Sequence, residues 1–198
     1  MAASCNILLD IDLFFVTLAS MHDISYRTQN QGRPGDRVTP NPTPDVFKAH
    51  LKAVTTQLAG RPVDADLGHW LNTHLGPDTA TYRDLMACCQ AGVAQGWLCQ
   101  REGGGIRYGR IFKPDDGLDG FSVDVVDMCN IAGPHHAHPT GEIDLIMPLD
   151  PSAQFDGHGA GWLVYPPGSA HPPTVSQGRA LVLYLLPQGR IEFTKNQA

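Results

Sequence analysis

At 198 residues the chain is long enough for one domain with a real core and no disulfide staples. A formal net charge of -6, with no basic run interleaved with aromatics, leaves no footprint for nucleic acid. The 42% hydrophobic and 17% charged fractions read as an ordinary soluble globular protein, and 21 glycines with 16 prolines suit a turn-rich β architecture.

The first apolar stretch, NILLDIDLFFVTLAS at residues 6–20, is preceded by no basic residue and interrupted by Asp10 and Asp12. It is too short and too charged for a signal peptide or a membrane span. Residues 27–45 hold four prolines and two glycines without a large apolar block, which reads as a linker. Residues 1–43 are therefore expected to be a disordered leader and proline-rich linker. Cys5, Cys88, Cys89, Cys99 and Cys129 are odd in number and form no C-x-x-C pair. They read as reduced thiols in a cytoplasmic protein.

Helical signals follow over 44–96. Thr43 before Pro44 is an N-cap with proline in the first turn, and Val46, Phe47, His50, Leu51, Val54 and Leu58 recur near a spacing of 3.6, up to Gly60. A shorter helix carries Leu67, Trp70, Leu71 and Leu75 on one side and stops at Gly76. A third opens at Asp78 or Thr79 and turns Tyr82, Leu85, Met86 and Cys89 inward.

Beyond Trp97 the period changes to two. Residues 105–112, 120–128, 141–149, 159–167 and 179–186 are strand candidates, and the last is expected to form a hairpin with RIEFT (190–194) across Pro187, Gln188 and Gly189. The expectation is a mainly β protein: an antiparallel β-barrel, or jelly roll, over 97–198, with a helical N-terminal segment.

The segment GPHHAHPTGEID (133–144) concentrates three histidines and two carboxylates. On an extended segment His136 and His138, at i and i+2, face the same side and can reach one ion. A turn through Pro139, Thr140 and Gly141 returns the chain, and Glu142 opens the next strand on that side. PPGSAHPP adds His171 after a turn at Gly168, at the start of the following strand. Three neutral imidazoles and a carboxylate suit a divalent transition metal. His135 faces away from His136 and is a candidate catalytic or substrate group. Asp124 and Asp127, one strand earlier, are candidate acceptors for the imidazoles. His158, on the glycine-rich FDGHGAG loop, reads as exposed.

These residues resemble the two motifs of the cupin superfamily, G-x5-H-x-H-x3-4-E-x6-G and G-x5-P-x-G-x2-H-x3-N. His136, His138, Glu142, Pro166, Gly168 and His171 are retained. Asn130 and Leu149 replace the first motif's glycines, and Val175 replaces the second motif's asparagine; these positions shape turns rather than supply ligands. A narrower resemblance covers roughly residues 45–195. The runs WLN, GVAQGWLCQREGGGIRYGRI, GFSVDVVDM, GPHHAHPTGEIDLI and ALVLYLLPQGRIEFT are similar to the 4-hydroxylaminobenzoate lyase family of bacterial nitrobenzoate degradation.

That resemblance implies a lyase acting on a small aromatic substrate: 4-hydroxylaminobenzoate and water give 3,4-dihydroxybenzoate (protocatechuate) and ammonia. Heterolysis of the N–O bond needs a proton or a Lewis acid at the leaving oxygen. Glu142 is either the fourth ligand or the acid/base, and His135 and Tyr108 are further catalytic candidates. Arg107 and Arg110 are candidate forks for the substrate carboxylate. Strand alternation forbids Arg107 and Tyr108 from entering one cavity together. The histidines can also act as direct acids and bases without an ion. Other readings of the same residues are a metal-dependent dioxygenase or isomerase on a small aromatic, or a non-catalytic ligand-binding cupin. No nucleic-acid or membrane partner is expected; a homodimer is.

Overall fold

The computed structural model describes residues 42–194. The expected leader and most of the linker, residues 1–41, lie outside the described residues, as do 195–198.

Helix α1 (Pro44–Leu58) starts where its cap predicts: the Thr43 hydroxyl accepts from the Val46 N–H, and Pro44 occupies the first turn. Asp64 caps α2 (Ala65–Leu75) by accepting from Leu67 N–H. Thr79, rather than Asp78, caps α3 (Ala80–Gln95), which ends at the left-handed Gly96. The apolar stripes are buried as their spacing requires, with Phe47, Leu51, Val54, Leu67, Leu71, Leu85 and Cys89 all enclosed.

Ten strands follow: β1 (Arg101–Gly103), β2 (Ile106–Phe112), β3 (Phe121–Ala132), β4 (His136–His138), β5 (Glu142–Pro148), β6 (Gln154–Phe155), β7 (Gly161–Tyr165), β8 (Ser169–His171), β9 (Thr174–Pro187) and β10 (Glu192–Phe193). The larger sheet runs β1-β2-β3-β9-β5-β7, with β6 also on β9; the smaller runs β10-β4-β8. Every pairing is antiparallel. The mainly β, jelly-roll-like architecture with preceding helices is as expected. It is two sheets rather than one closed barrel, because no described strand bonds to both.

Period two divides the large sheet between two cores. Val123, Val125, Ile143, Leu145, Met147, Leu181, Leu183 and Leu185 point to the helices and share their core. Met128, Ile146, Ala180, Val182, Tyr184 and Leu186 point the other way, into a second core with Phe155 and Val175. Tyr82 anchors α3 by donating to the Ile146 carbonyl at 2.9 Å. Asn72 of α2 donates to Trp162 O and accepts from Trp162 N–H, so a side-chain amide covers the edge of β7.

The expected hairpin between β9 and the last strand does not form. Pro187 has no N–H for a ladder, and the chain turns through Gln188 and Gly189, whose N–H groups donate to Gly120 and Leu186 carbonyls. It then crosses to the small sheet, where Glu192 and Phe193 pair with Ala137 and His136. Strands β1, β4, β6 and β8 were not among the strand candidates; each is only two or three residues long, too short for alternation to declare itself.

Candidate metal centre

His136 and His138 sit on β4, and their alternation turns both rings inward, 4.6 Å apart between centroids. β8 pairs with β4 so that His171 lies directly opposite His136. His171 is thus the last residue of a three-residue strand, not the first of the following one. Gly168 holds that turn against the site, donating its N–H to His138 O at 2.8 Å. Glu142 begins β5 on the large sheet. One ligand atom from each of His136, His138, Glu142 and His171 falls within 4.8 Å of all the others.

All four are largely or wholly shut off from water; His138 and Glu142 are 0% exposed. Both nitrogens of His138, Nε2 of His136 and Nε2 of His171 have no hydrogen-bond partner. The Glu142 oxygens lie 3.0 Å from His138 Nε2 and 3.4 Å from His171 Nε2, without the alignment of formed hydrogen bonds. Orphaned, converging nitrogens and a carboxylate in a dry site are what a metal ion would satisfy. The residues therefore fit one ion.

Electrostatics divides the three imidazoles. Burial, with the neighbouring His171, pushes His136 down to about 4 despite the Pro134 carbonyl. Burial and the adjacent rings push His138 down to about 3. Both therefore offer lone pairs at neutral pH. At His171 burial also opposes charge, but the Asp156 carboxylate on Nδ1 and the nearby Glu142 carboxylate outweigh it and hold the ring up at about 9. Burial raises Glu142, against the pull of His171. Asp144, two residues on and facing the same side, is raised well above the carboxylate range by burial and by Glu142. Neither Asp144 oxygen has a hydrogen-bond partner.

A polar row leads away from this cluster across the large sheet. Asp144 of β5 lies opposite Tyr184 of β9, Tyr184 opposite Asp124 of β3, and Asp124 opposite Arg110 of β2. Arg110 grips Asp124, with Nε 3.0 Å from both oxygens and Nη2 2.9 Å from Oδ2. Tyr108, two residues before Arg110 on β2, shares this face and is 40% exposed. Arg107 is on the opposite, helix-covered face, 3.7 Å from Asp127 Oδ2, where Arg179 holds Asp127 bidentately at 2.8 and 2.7 Å. The structure thus puts Arg110 and Tyr108, not Arg107, on the metal-site side.

Other expectations shift. Asp124 and Asp127 serve arginines rather than imidazoles. The acceptor for an imidazole is Asp156, which the sequence reading passed over: His171 Nδ1 lies 2.6 Å from its Oδ2. His135 is beside the cluster in sequence but turns to Thr194, 2.5 Å from the hydroxyl. His158 exchanges backbone hydrogen bonds with Phe155 and is exposed, as expected. Asp144 was also missed; a strand reading EIDLIMP places it inward by parity alone, and that signal was available.

The family model for 4-hydroxylaminobenzoate lyase (PnbB) matches residues 49–193. The chain is 33% identical over 150 residues to the 4-hydroxylaminobenzoate lyase of Pseudomonas putida, covering 67% of this chain and 85% of that protein. It is 34% identical over 146 residues to the one of Nocardioides sp. (strain LMS-CY), covering 69% and 86%. Among solved structures, the DMSP lyase DddQ from Ruegeria pomeroyi DSS-3 aligns with a TM-score of 0.43 at 18% identity, over 79% of this chain and 100% of that one. No helix among the described residues is long and apolar enough to cross a membrane.

Proposed function

Because the chain belongs to the 4-hydroxylaminobenzoate lyase family, we propose that it is an enzyme converting 4-hydroxylaminobenzoate and water to 3,4-dihydroxybenzoate and ammonia. The observation that carries the reading is that the family match spans the whole buried cluster of His136, His138, Glu142 and His171.

The chemistry asks for three things. The N–O bond must break with its electron pair leaving on oxygen, so that oxygen needs a proton or an electrophile. Water then adds at the ring carbon beside the nitrogen-bearing one and loses a proton. A second water hydrolyses the resulting imine, ammonia departs, and loss of the ring proton restores the aromatic system as a catechol. One water is released as hydroxyl plus proton and two are consumed, so the net stoichiometry is one.

His136, His138 and His171, with Glu142, would hold a divalent transition ion, which when bound supplies Lewis acidity near the leaving oxygen. Glu142 and Asp144, two residues apart on one face of β5, would give and take protons at their carboxyl oxygens. Arg110 would take the substrate carboxylate: it is on the face of the large sheet that carries Asp144, its guanidinium is already held in plane by Asp124, and Tyr108 flanks it for contact with the ring. His135, turned to Thr194 beside the cluster, would serve as a further proton carrier.

The test is purified protein with 4-hydroxylaminobenzoate, following ammonia and 3,4-dihydroxybenzoate together, alongside elemental analysis. Equimolar products support the reading. Substrate left intact by metal-loaded protein rejects it.

A further inference from the structure

Asp156 and Gly157 form the two-residue turn between Phe155 and His158, whose backbones exchange hydrogen bonds of 2.8 and 2.9 Å. Their φ values are 47° and 82°, both positive, as a type I′ turn demands. Asn-Gly and Asp-Gly are the favoured pairs for that turn. The backbone therefore needs no carboxylate at 156; asparagine would serve it as well.

The carboxylate is instead spent on three partners from three strands. Oδ2 accepts from the Tyr165 hydroxyl of β7 at 2.6 Å and faces His171 Nδ1 of β8 at 2.6 Å. Oδ1 accepts from the Thr174 N–H of β9 at 2.7 Å. The Tyr165 ring lies 4.3 Å from the His171 ring and limits its rotation. With Nδ1 engaged, Nε2 is the nitrogen left to face Glu142, at 3.4 Å. A half-turn of the ring would break the Asp156 contact and withdraw Nε2 from the cluster.

We propose that Asp156 is the positioning residue of the metal centre: it fixes which nitrogen of His171 is offered to the ion, and in which direction. The inference rests on the metal reading given above and adds to it a residue that touches neither ion nor substrate. A carboxylate on the far nitrogen of a ligating imidazole fixes its tautomer and orientation and raises its basicity, and loss of such a partner typically weakens metal binding about 10–100-fold.

The experiment compares the full chain with its Asp156→Asn variant, which keeps the turn. Cobalt(II) is titrated into each metal-free protein, reading the dissociation constant and the visible ligand-field spectrum, with melting of the metal-free forms beside it. The expected result is cobalt binding about 10–100-fold weaker, with an altered spectrum. A purely structural role would lower the melting temperature and leave affinity and spectrum alone; that outcome overturns the proposal. Tyr165→Phe, which removes one hydrogen bond but leaves Asp156 against His171, should bind cobalt almost as the parent does. An equal loss in both variants would assign the effect to general loosening and overturn the proposal too. A measurement on the parent needs no variant to fold: nitrogen NMR of the zinc-loaded protein should show His171 metallated at Nε2 and protonated at Nδ1, and metallation at Nδ1 refutes the assignment. A parent that binds neither cobalt nor zinc rejects the metal reading itself, a failure visible before any variant is made.

Discussion

His138 Nε2 stands 3.0 Å from Glu142 Oε2, and both side chains are sealed from solvent. An imidazole held at about 3 is neutral at working pH. A neutral nitrogen lone pair gains nothing from a carboxylate oxygen at that distance unless a cation or a proton lies between them. The pair is therefore arranged for an occupant.

Replacing His138 with Ala removes one of the three converging imidazoles while breaking no formed hydrogen bond of its side chain. Metal stoichiometry and ammonia release should fall together, the latter by more than about 100-fold, since losing a ligand should cost at least as much as losing a ligand's partner. Both are read on one preparation. Full turnover in rigorously metal-free parent protein would instead make the histidines direct acids and bases.

Replacing Arg110 with Met keeps length and loses the fork. A charge-assisted hydrogen bond contributes about 1.5–3 kcal/mol, so KM for 4-hydroxylaminobenzoate should rise about 10–100-fold. Phenylhydroxylamine, which lacks the carboxylate, should be little affected. Arg107→Met, on the helix-covered face, should leave both KM values near the parent's. Equal effects of Arg110→Met on the two substrates would remove Arg110 from carboxylate binding.

The metal-free protein should lose stability as pH rises from about 6.5 to 9. His171 is held at about 9, above its ordinary 6.5, so in this window the folded state binds a proton that the unfolded state has released. The stabilisation is complete below 6.5 and is gone above 9; its full size is on the order of 3 kcal/mol. The raised Glu142 and Asp144 carboxyls act in the same direction. His136 and His138 are lowered and do not titrate in this window. Melting temperature against pH, with and without zinc, checks this: zinc replaces the His171 proton and should flatten the slope. A metal-free melting temperature that rises from pH 6.5 to 9 contradicts it.

Gly141 carries φ of +85°, and an added Cβ would stand 2.8 Å from Val63 Cγ1 and 2.9 Å from Tyr165 O. Gly141→Ala thus combines a left-handed backbone with a clash against a main-chain oxygen. It should cost more than about 1 kcal/mol and, by shifting Glu142 next to it, weaken metal binding. Chemical denaturation and a zinc titration measure the two effects. Unchanged stability would show that the turn relaxes freely.

The convergence of His136, His138 and Glu142 was legible because two local rules sufficed. Alternation puts His136 and His138 on one face, and a Gly-containing turn returns the chain to Glu142. Helix starts were legible for the same reason, since Thr43 and Thr79 act within three residues of themselves. Asp156 was not legible. Asp-Gly reads as turn chemistry, and its real partner is His171, 15 residues away across two strands. The last strand was misassigned because a Gly-containing three-residue gap says hairpin, while the choice of sheet is made by Pro187 and by the open edge of β4. Arg110 and Arg107 were inseparable in sequence until the register of β2 on β3 fixed their faces.

The parity of β9 has a consequence for altering this protein by design. Leu181, Leu183 and Leu185 belong to the core under the helices, whereas Val182, Tyr184 and Leu186 belong to the second core, on the face that also carries Glu142 and Asp144. One strand thus carries both cores, and neither of its faces is free to vary. A combinatorial library confined to Val126 and Leu163, which are only partly buried against the second core, should yield mostly folded members, while the same diversity at the buried Val125, Leu181, Leu183 and Leu185 should yield mostly insoluble ones. Room for variation lies on β3 and β7, where the second core thins out, and not on β9 itself.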